Sequence, residues 1–282
     1  MKKIEDIADI FELQTWAGER PTSVSSIKEE LDAVLDDSSE QDTEVLAQNV
    51  IDEFVARQRL LGEAYPFACD GNKLDVNHQA PQNTTYLFCL ALSHLPASEI
   101  ENEQRAQQFE TIVRDAATKF FGGVGLRIGA PWRTDEVPTY GDLLDKVIGL
   151  IPNLGEKLRD AAPGGGDAGW DVLVVKSFKD DLYPRFIALG NCATGRHDWK
   201  RKGMEVQPTL WWTFFRYDHR SVHITFFAVP FPMDEDARLR KLSSSSLTFD
   251  RFRICEFAPD SVADAATWVT AQRANAMNLA LA

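Results

Sequence analysis

The sequence predicts an α/β fold: a mixed central sheet flanked by helices, preceded by a mainly helical N-terminal region. Three observations lead there. Helical periodicity dominates the first sixty residues, a long amphipathic stretch opens the second part of the chain, and apolar runs of strand length then follow one another before a closing helical stretch. A chain of 282 residues holds one large domain or two small ones. The pattern changes near Pro96, which divides the chain into a helical and hairpin region, 1–96, and a second domain, 97–282.

In the first region, Ile4, Ile7, Ile10 and Phe11 fall at helical spacing, and Ser26 to Leu35 forms a second helical candidate. After the polar break 36–42, Val45, Val50, Ile51, Phe54 and Val55 mark a longer amphipathic helix that stops at Gly62. Asp70-Gly71-Asn72 between two short apolar runs signals a hairpin. Thr84 to Leu92 is apolar throughout, so periodicity leaves strand and buried helix both open.

In the second region, Ser98 and Glu101 match a capping box that opens a helix to about Phe121, with Phe109, Ile112, Val113, Ala116 and Phe120 as its buried stripe. Gly122-Gly123 ends it, and Val124 to Ile128 is a short strand. Tyr140 to Ala162 is helical with an interruption at Pro152-Asn153. Strands follow at Trp170 to Val175, Phe186 to Asn191, Val222 to Val229 and Leu247 to Phe257, and a helix from Asp260 to Met277 closes the chain.

The charge balance is acidic, 43 Asp and Glu against 30 Lys and Arg, for a net −13. That argues against non-specific coating of nucleic acid. The charge is uneven: Met1 to Leu60 carries about nine negative charges in excess, and Lys176 to Arg220 about four positive. The acidic end is suited to docking a protein partner or to keeping the chain soluble. No run of about eighteen apolar residues exists, so no membrane span is expected. Four scattered cysteines without a CxxC pair fit a reduced cytoplasmic protein and speak against zinc.

The chemistry concentrates in Gly166 to Lys202, GDAGWDVLVVKSFKDDLYPRFIALGNCATGRHDWKRK. Magnesium takes oxygen ligands from one or two carboxylates, and a cation beside it assists phosphoryl chemistry. Asp171 stands at the mouth of the apolar run Val172-Leu173-Val174-Val175, where a carboxylate is costly without a partner or a metal. Asn191 lies near the end of the next strand, where a hairpin places it close to Asp171, and its amide oxygen can complete a hard-metal site.

Gly166-Asp167-Ala168-Gly169-Trp170-Asp171 before an apolar strand and a hairpin resembles the Mrr-like branch of the PD-(D/E)XK restriction-endonuclease-like superfamily. The resemblance covers roughly Glu101 to Cys255. It implies a restriction-endonuclease-like sheet, Asp171 as the metal-binding aspartate, and Mg2+ as cofactor with Mn2+ as a substitute. It implies Asp167 as a turn former and a glutamate from the preceding helix, for which Glu110 is the candidate and Asp115 the neighbouring alternative. Asn191-Cys192-Ala193 stands where Gln/Glu-x-Lys belongs, so the usual lysine is absent. Either the lysine has moved to the following segment, with Lys202 preferred over Lys200, or the centre does not cleave. The expected function is a metal-dependent DNA endonuclease in bacterial anti-phage defence or restriction, with RNA left open as substrate. The alternative is an inactive nuclease-fold protein that binds nucleic acid or a partner subunit.

Other features carry less. Trp211, Trp212, Phe214 and Phe215 are expected in the core rather than as a base-stacking platform. His219 and His223 have the spacing of a helical metal pair but fall at a strand. Cys192 is expected to be a packed thiol. Arg251 and Arg253 alternate along the expected last strand, facing phosphate or water.

Overall fold

The computed structural model describes residues 3–18, 20–35, 42–79, 84–96, 99–129, 139–160, 169–180, 185–196, 199, 212–216, 223–241, 247–260 and 263–281. The protein is mixed α/β and divides into two compact units, Met1–Ala97 with Pro259–Ala282, and Ser98–Ala258. Among the described residues no helix is long and apolar enough to cross a membrane. The four cysteines are free thiols.

The first unit contains α1 (Ile4–Gly18), β1 (Thr22–Ser23), α2 (Val24–Val34), α3 (Thr43–Leu61), β2 (Phe67–Cys69), β3 (Lys73–Val76) and α4 (Thr84–His94). Local chemistry sets the boundaries. Ser23 caps α2 by accepting from the Ser26 amide, Asp42 caps α3 by accepting from the Glu44 amide, and α3 stops at Gly62 with φ 55°. The β2–β3 hairpin turns through Gly71 at φ 90°, with the Asp70 carboxylate accepting from the amides of Asn72 and Lys73. Thr22 and Ser23 add a third strand beside β3 that no sequence signal announces. The stretch from Thr84 is a helix. Tyr86, Phe88, Cys89, Leu90 and Ala91 are all fully buried, so it is apolar all round and lacks a periodic stripe.

The closing helical stretch belongs to this first unit rather than to the second domain, 97–282, in which the sequence places it. It also breaks into two helices, Ala263–Ala271 and Arg273–Met277. Its anchors are non-local. Trp268 packs edge-on against Phe88 with centroids 5.6 Å apart, and Gln14 Nε2 donates to the Leu279 carbonyl at 2.9 Å.

A buried ionic network ties α1 to α3 and α4. Asp9, Glu12, Arg57, Tyr65 and Tyr86 are each at most 1% exposed. Arg57 Nη1 lies 2.7 Å from Asp9 Oδ1 and 3.0 Å from Glu12 Oε2, and its Nε donates to Glu53 Oε1 at 2.8 Å. Tyr65 and Tyr86 both donate their hydroxyls to the Glu12 carboxylate, and His94 Nε2 stands 2.7 Å from Asp9 Oδ2. Two of the acidic residues that mark the N-terminal region as a docking surface are thus internal and unavailable to a partner.

Burial, then the Glu12 carboxylate beside it, push the Tyr65 phenol well above its usual value of 10.0. The folded protein therefore keeps a proton that the unfolded chain releases near that pH. Tyr65 contributes full stability below about pH 10 and loses that contribution as pH rises further. Thermal melts should hold steady near neutrality and fall above pH 10. Tyr65→Phe, which has no proton to lose, should flatten that fall; an unchanged alkaline slope would refute the assignment.

The second unit is built on α5 (Glu99–Phe121), β4 (Val124–Arg127), α6 (Tyr140–Leu150), β5 (Val172–Lys176), β6 (Phe186–Cys192), β7 (His223–Ala228) and β8 (Leu247–Phe249). The sheet order is β4-β5-β6-β7-β8, with antiparallel pairing through β6 and parallel pairing beyond it. Side chains alternate across it. Leu173, Val175, Ile187 and Leu189 point to one face, where they form a core with Leu143, Leu144 and Val147 of α6 and with Trp212, Phe214 and Phe215. These aromatics are core, while Trp211 lies outside the described residues. α5 covers the other face, where the Phe121 ring meets Phe186 and Phe226.

That second face tolerates no added bulk at Gly190. A Cβ there would sit 2.1 Å from Cζ of Phe226, whose ring lies over the glycine. Gly190→Ala is expected to cost about 1–3 kcal/mol of stability by overpacking, read as a lower denaturant midpoint. An unchanged midpoint would contradict this packing.

The expected strand from Leu247 to Phe257 is corrected. Only Leu247–Phe249 is extended, and Arg251–Phe257 is a helix whose N-cap, Asp250, accepts from the Arg253 amide. Arg251 and Arg253 therefore do not share a strand face. Arg251 is fully buried and donates to the Pro230 carbonyl at 3.0 Å, and Arg253 Nη1 donates to the Thr248 carbonyl at 2.8 Å. Arg251 is thus withdrawn from solvent, while Arg253 is half-buried.

Candidate metal centre

The site lies where β5 begins. Gly169, at φ 81°, makes a turn that a residue with a side chain rarely adopts, and Trp170 then anchors the chain in the core. Asp171 follows, and its amide donates to the Gly190 carbonyl, which continues the β5–β6 ladder and sets Asp171 opposite Asn191. Asp171 is 9% exposed, and its Oδ2 accepts from the Cys192 amide at 2.6 Å.

Two elements bring the second carboxylate. α5 runs against β4 and β5, approaching closely at Gly125, where a Cβ would collide with Thr118 Oγ1. This seats Glu110, 7% exposed, beside the end of β4. The two carboxylates converge at Gly129. A Cβ built there would lie 2.6 Å from Glu110 Oε2 and 2.9 Å from Asp171 Oδ1. The bare glycine thus faces one small space lined by an oxygen of each carboxylate. Two carboxylate oxygens lining one space form a donor pair for a hard cation.

Asn191 completes the arrangement. It is 7% exposed, and its Nδ2 donates to the Gly169 carbonyl at 2.5 Å. That bond fixes the amide, and its Oδ1 is buried with no hydrogen-bond partner among the described residues. A buried amide oxygen without a donor is costly, and such an oxygen is a candidate ligand atom.

Of the residues the sequence nominates, the structure thus gathers Glu110, Asp171 and Asn191 at one end of the sheet. Lys200 and Lys202, the candidate cations, and Asp167, the candidate turn former, lie outside the described residues. Asp115 is away from the centre, pairing with Arg114 at 2.6 Å on an exposed part of α5. His223 sits opposite Ile187, at the far end of β6 from Asn191, and burial lowers its pKa from the usual 6.5; His219 lies outside the described residues. Cys192 is a buried thiol, as expected.

Sequence reasoning misses two participants. Gly129 provides the space, and Arg127 holds Glu110: its Nη1 donates to Glu110 Oε2 at 2.8 Å and to the Gly129 carbonyl at 2.9 Å. A lone arginine ending the short strand before an Ile-Gly pair is the available signal. Among the described residues, no group of three or more His, Cys, Asp or Glu side chains gathers in a form that could hold a metal. The donor set at this centre is two carboxylates and an amide oxygen. These are hard ligands suited to magnesium or manganese rather than zinc. Comparison with protein-family models, with curated proteins and with solved structures returns no match.

Proposed function

We propose that this centre seats a divalent cation, Mg2+ or Mn2+, and that the protein is a metal-dependent endonuclease of DNA with a restriction-endonuclease-like fold. The observation that carries the reading is the pair of buried carboxylate oxygens, Glu110 Oε2 and Asp171 Oδ1, facing one space at Gly129, with Asn191 across the β5–β6 ladder from Asp171. Carboxylate oxygens facing one space are the donors a hard divalent cation takes. When bound, the metal would polarise a phosphate and lower the pKa of a coordinated water. The chain's own part is to hold the ligands rigidly. The Cys192 amide fixes Asp171, the Gly169 carbonyl fixes Asn191, and Arg127 fixes Glu110.

The order of elements also supports the reading: a helix carrying a glutamate, a strand, an apolar strand headed by aspartate, and an antiparallel neighbour ending in Asn191. Substrate class and a role in bacterial defence rest on the sequence resemblance alone. The test is cleavage of plasmid DNA with Mg2+ or Mn2+ by the wild type and by Asp171→Ala. Equal activity in both would refute the role of Asp171.

A specific observation favours a second reading, a nuclease-fold protein that binds nucleic acid or a partner without cutting. The end of β6 and the residue after it offer Asn191 and Ala193 where Gln or Glu and a lysine belong, and Arg127 already pairs with Glu110. DNA binding without cleavage by either protein would support it.

A further inference from the structure

Two exposed surfaces, one on each unit, complement one another in charge and in apolar content. The first lies on the sheet unit, at the far end of β5 from Asp171, where the last turn of α5, the start of β4 and the end of β5 meet. Val124 pairs with Val175, and a Cβ added at Gly122 would lie 3.1 Å from Lys176 Nζ. Phe120, Val124 and Phe178 are exposed here, Phe178 to 69%, and so are Lys119, Lys176 and Lys179. Single exposed apolar residues mean little, but three large ones gathered among cations form a patch of the kind that marks a contact with another molecule. The second surface lies on the helical unit, where α2 ends and α3 begins. Thr43 Oγ1 donates to Asp32 Oδ1 at 2.5 Å, which holds the two helix ends together. Val34 and Val45 are exposed there, and Asp32, Asp42 and Glu44 are exposed with them. Lys28 pairs with Asp32 at 2.5 Å and offsets one of these three charges.

We infer that these surfaces bind each other between copies of the chain: the lysine-rimmed patch on the sheet unit of one molecule takes the acid-rimmed valines on the helical unit of the next. The apolar side chains select this partner. A nucleic-acid backbone would match the lysines but leave the phenylalanines in water, and it would sit at the opposite end of β5 from the metal centre. A protein surface with apolar residues at its middle and acids at its edge satisfies both parts of the patch. This acidic chain, with 43 Asp and Glu against 30 Lys and Arg, itself carries such a surface. The opposite charges speed encounter and fix which faces meet, while the apolar side chains supply the buried area. Because the two faces differ, the contact is heterologous: it joins molecules head to tail and ends only where a ring closes. The inference stands apart from the metal-site reading and does not depend on it.

The experiment is sedimentation velocity of the full chain over a range of concentrations, at low and at high salt. Wild type should associate as its concentration rises, and salt should weaken the association by screening the rim charges. Two variants divide the contact. Lys176→Glu with Lys179→Glu reverses the patch on the sheet unit, and Glu44→Lys with Gln48→Lys reverses the exposed start of α3. Each variant alone should associate about tenfold or more weakly than wild type, since like charges then face each other. An equimolar mixture of the two should regain association, because each supplies the face that the other lacks. Circular dichroism would verify that both are folded. Wild type that stays monomeric at low salt, or association that neither variant weakens, would overturn the inference. So would a mixture that stays monomeric, which would mean that a face meets its own copy. Duplex DNA or anionic vesicles bound by monomeric wild type and released by the lysine variant would assign the patch to phosphate and overturn it as well.

Discussion

Asp171→Ala is expected to reduce metal-dependent DNA cleavage by on the order of 10^3 or more, since loss of even one hydrogen-bond donor at a transition state costs about 10^2–10^3. The fold should survive the change. Asp171 sits at the mouth of β5 rather than inside it, and the ladder bond from its amide to the Gly190 carbonyl belongs to the backbone. Alanine does leave the buried Cys192 amide without its carboxylate acceptor, a cost of about 1–3 kcal/mol. The variant should therefore stay folded, melting a few degrees below wild type, while losing activity. A variant that does not fold would point to a structural role for Asp171. One that keeps its activity would remove Asp171 from the mechanism.

Arg57→Met is expected to give the largest loss of stability. It takes the guanidinium away from Asp9 and Glu12, both buried on α1, and removing one partner of a buried ion pair costs about 3–5 kcal/mol. That corresponds to a fall in melting temperature on the order of 10–20 °C. Replacing the whole ionic core, with Asp9→Leu and Glu12→Leu added to Arg57→Met, should recover much of the loss, because the two buried carboxylates go with the cation that balanced them. If the triple variant were less stable than the single one, the network would be stabilising in its own right rather than costly to break. Plasmid cleavage by the refolded single variant gives a separate readout, since none of these residues lies at the metal centre.

The sheet of the second unit is legible in the sequence because its inner strands are unbroken apolar runs. Val172 to Val175 and Phe186 to Leu189 have no polar residue to confuse the assignment, and Asp171 and Asn191 stand out at their ends. The last strand misleads because Asp250 looks like a polar residue within an alternating run, while physically it is a helix cap. The ionic core of the first unit is not legible at all. Asp9 and Glu12 resemble a solvated helix face, and their partner Arg57 comes 48 residues after Asp9. The same non-locality hides the packing of Trp268 on Phe88. At the site, residue type reveals the carboxylates. Only folding reveals that a glycine leaves room between them and that an arginine from β4 already holds one of them.

The space beside Gly129 also gives the sharpest substitution. Gly129 does not adopt a positive φ, so alanine is compatible with its backbone, yet the added methyl would stand within 2.9 Å of both carboxylates. Gly129→Ala should leave the melting temperature within a few degrees of wild type and abolish cleavage by displacing one ligand. Unimpaired cleavage would place the reacting centre elsewhere.

The most direct test is anomalous diffraction from a crystal of the protein soaked in Mn2+ together with a phosphorothioate duplex. An anomalous peak at the Glu110 and Asp171 carboxylates, and no such peak in Gly129→Ala, is the result expected. A metal bound at other residues, or wild-type crystals in which these two carboxylates hold none, would contradict it.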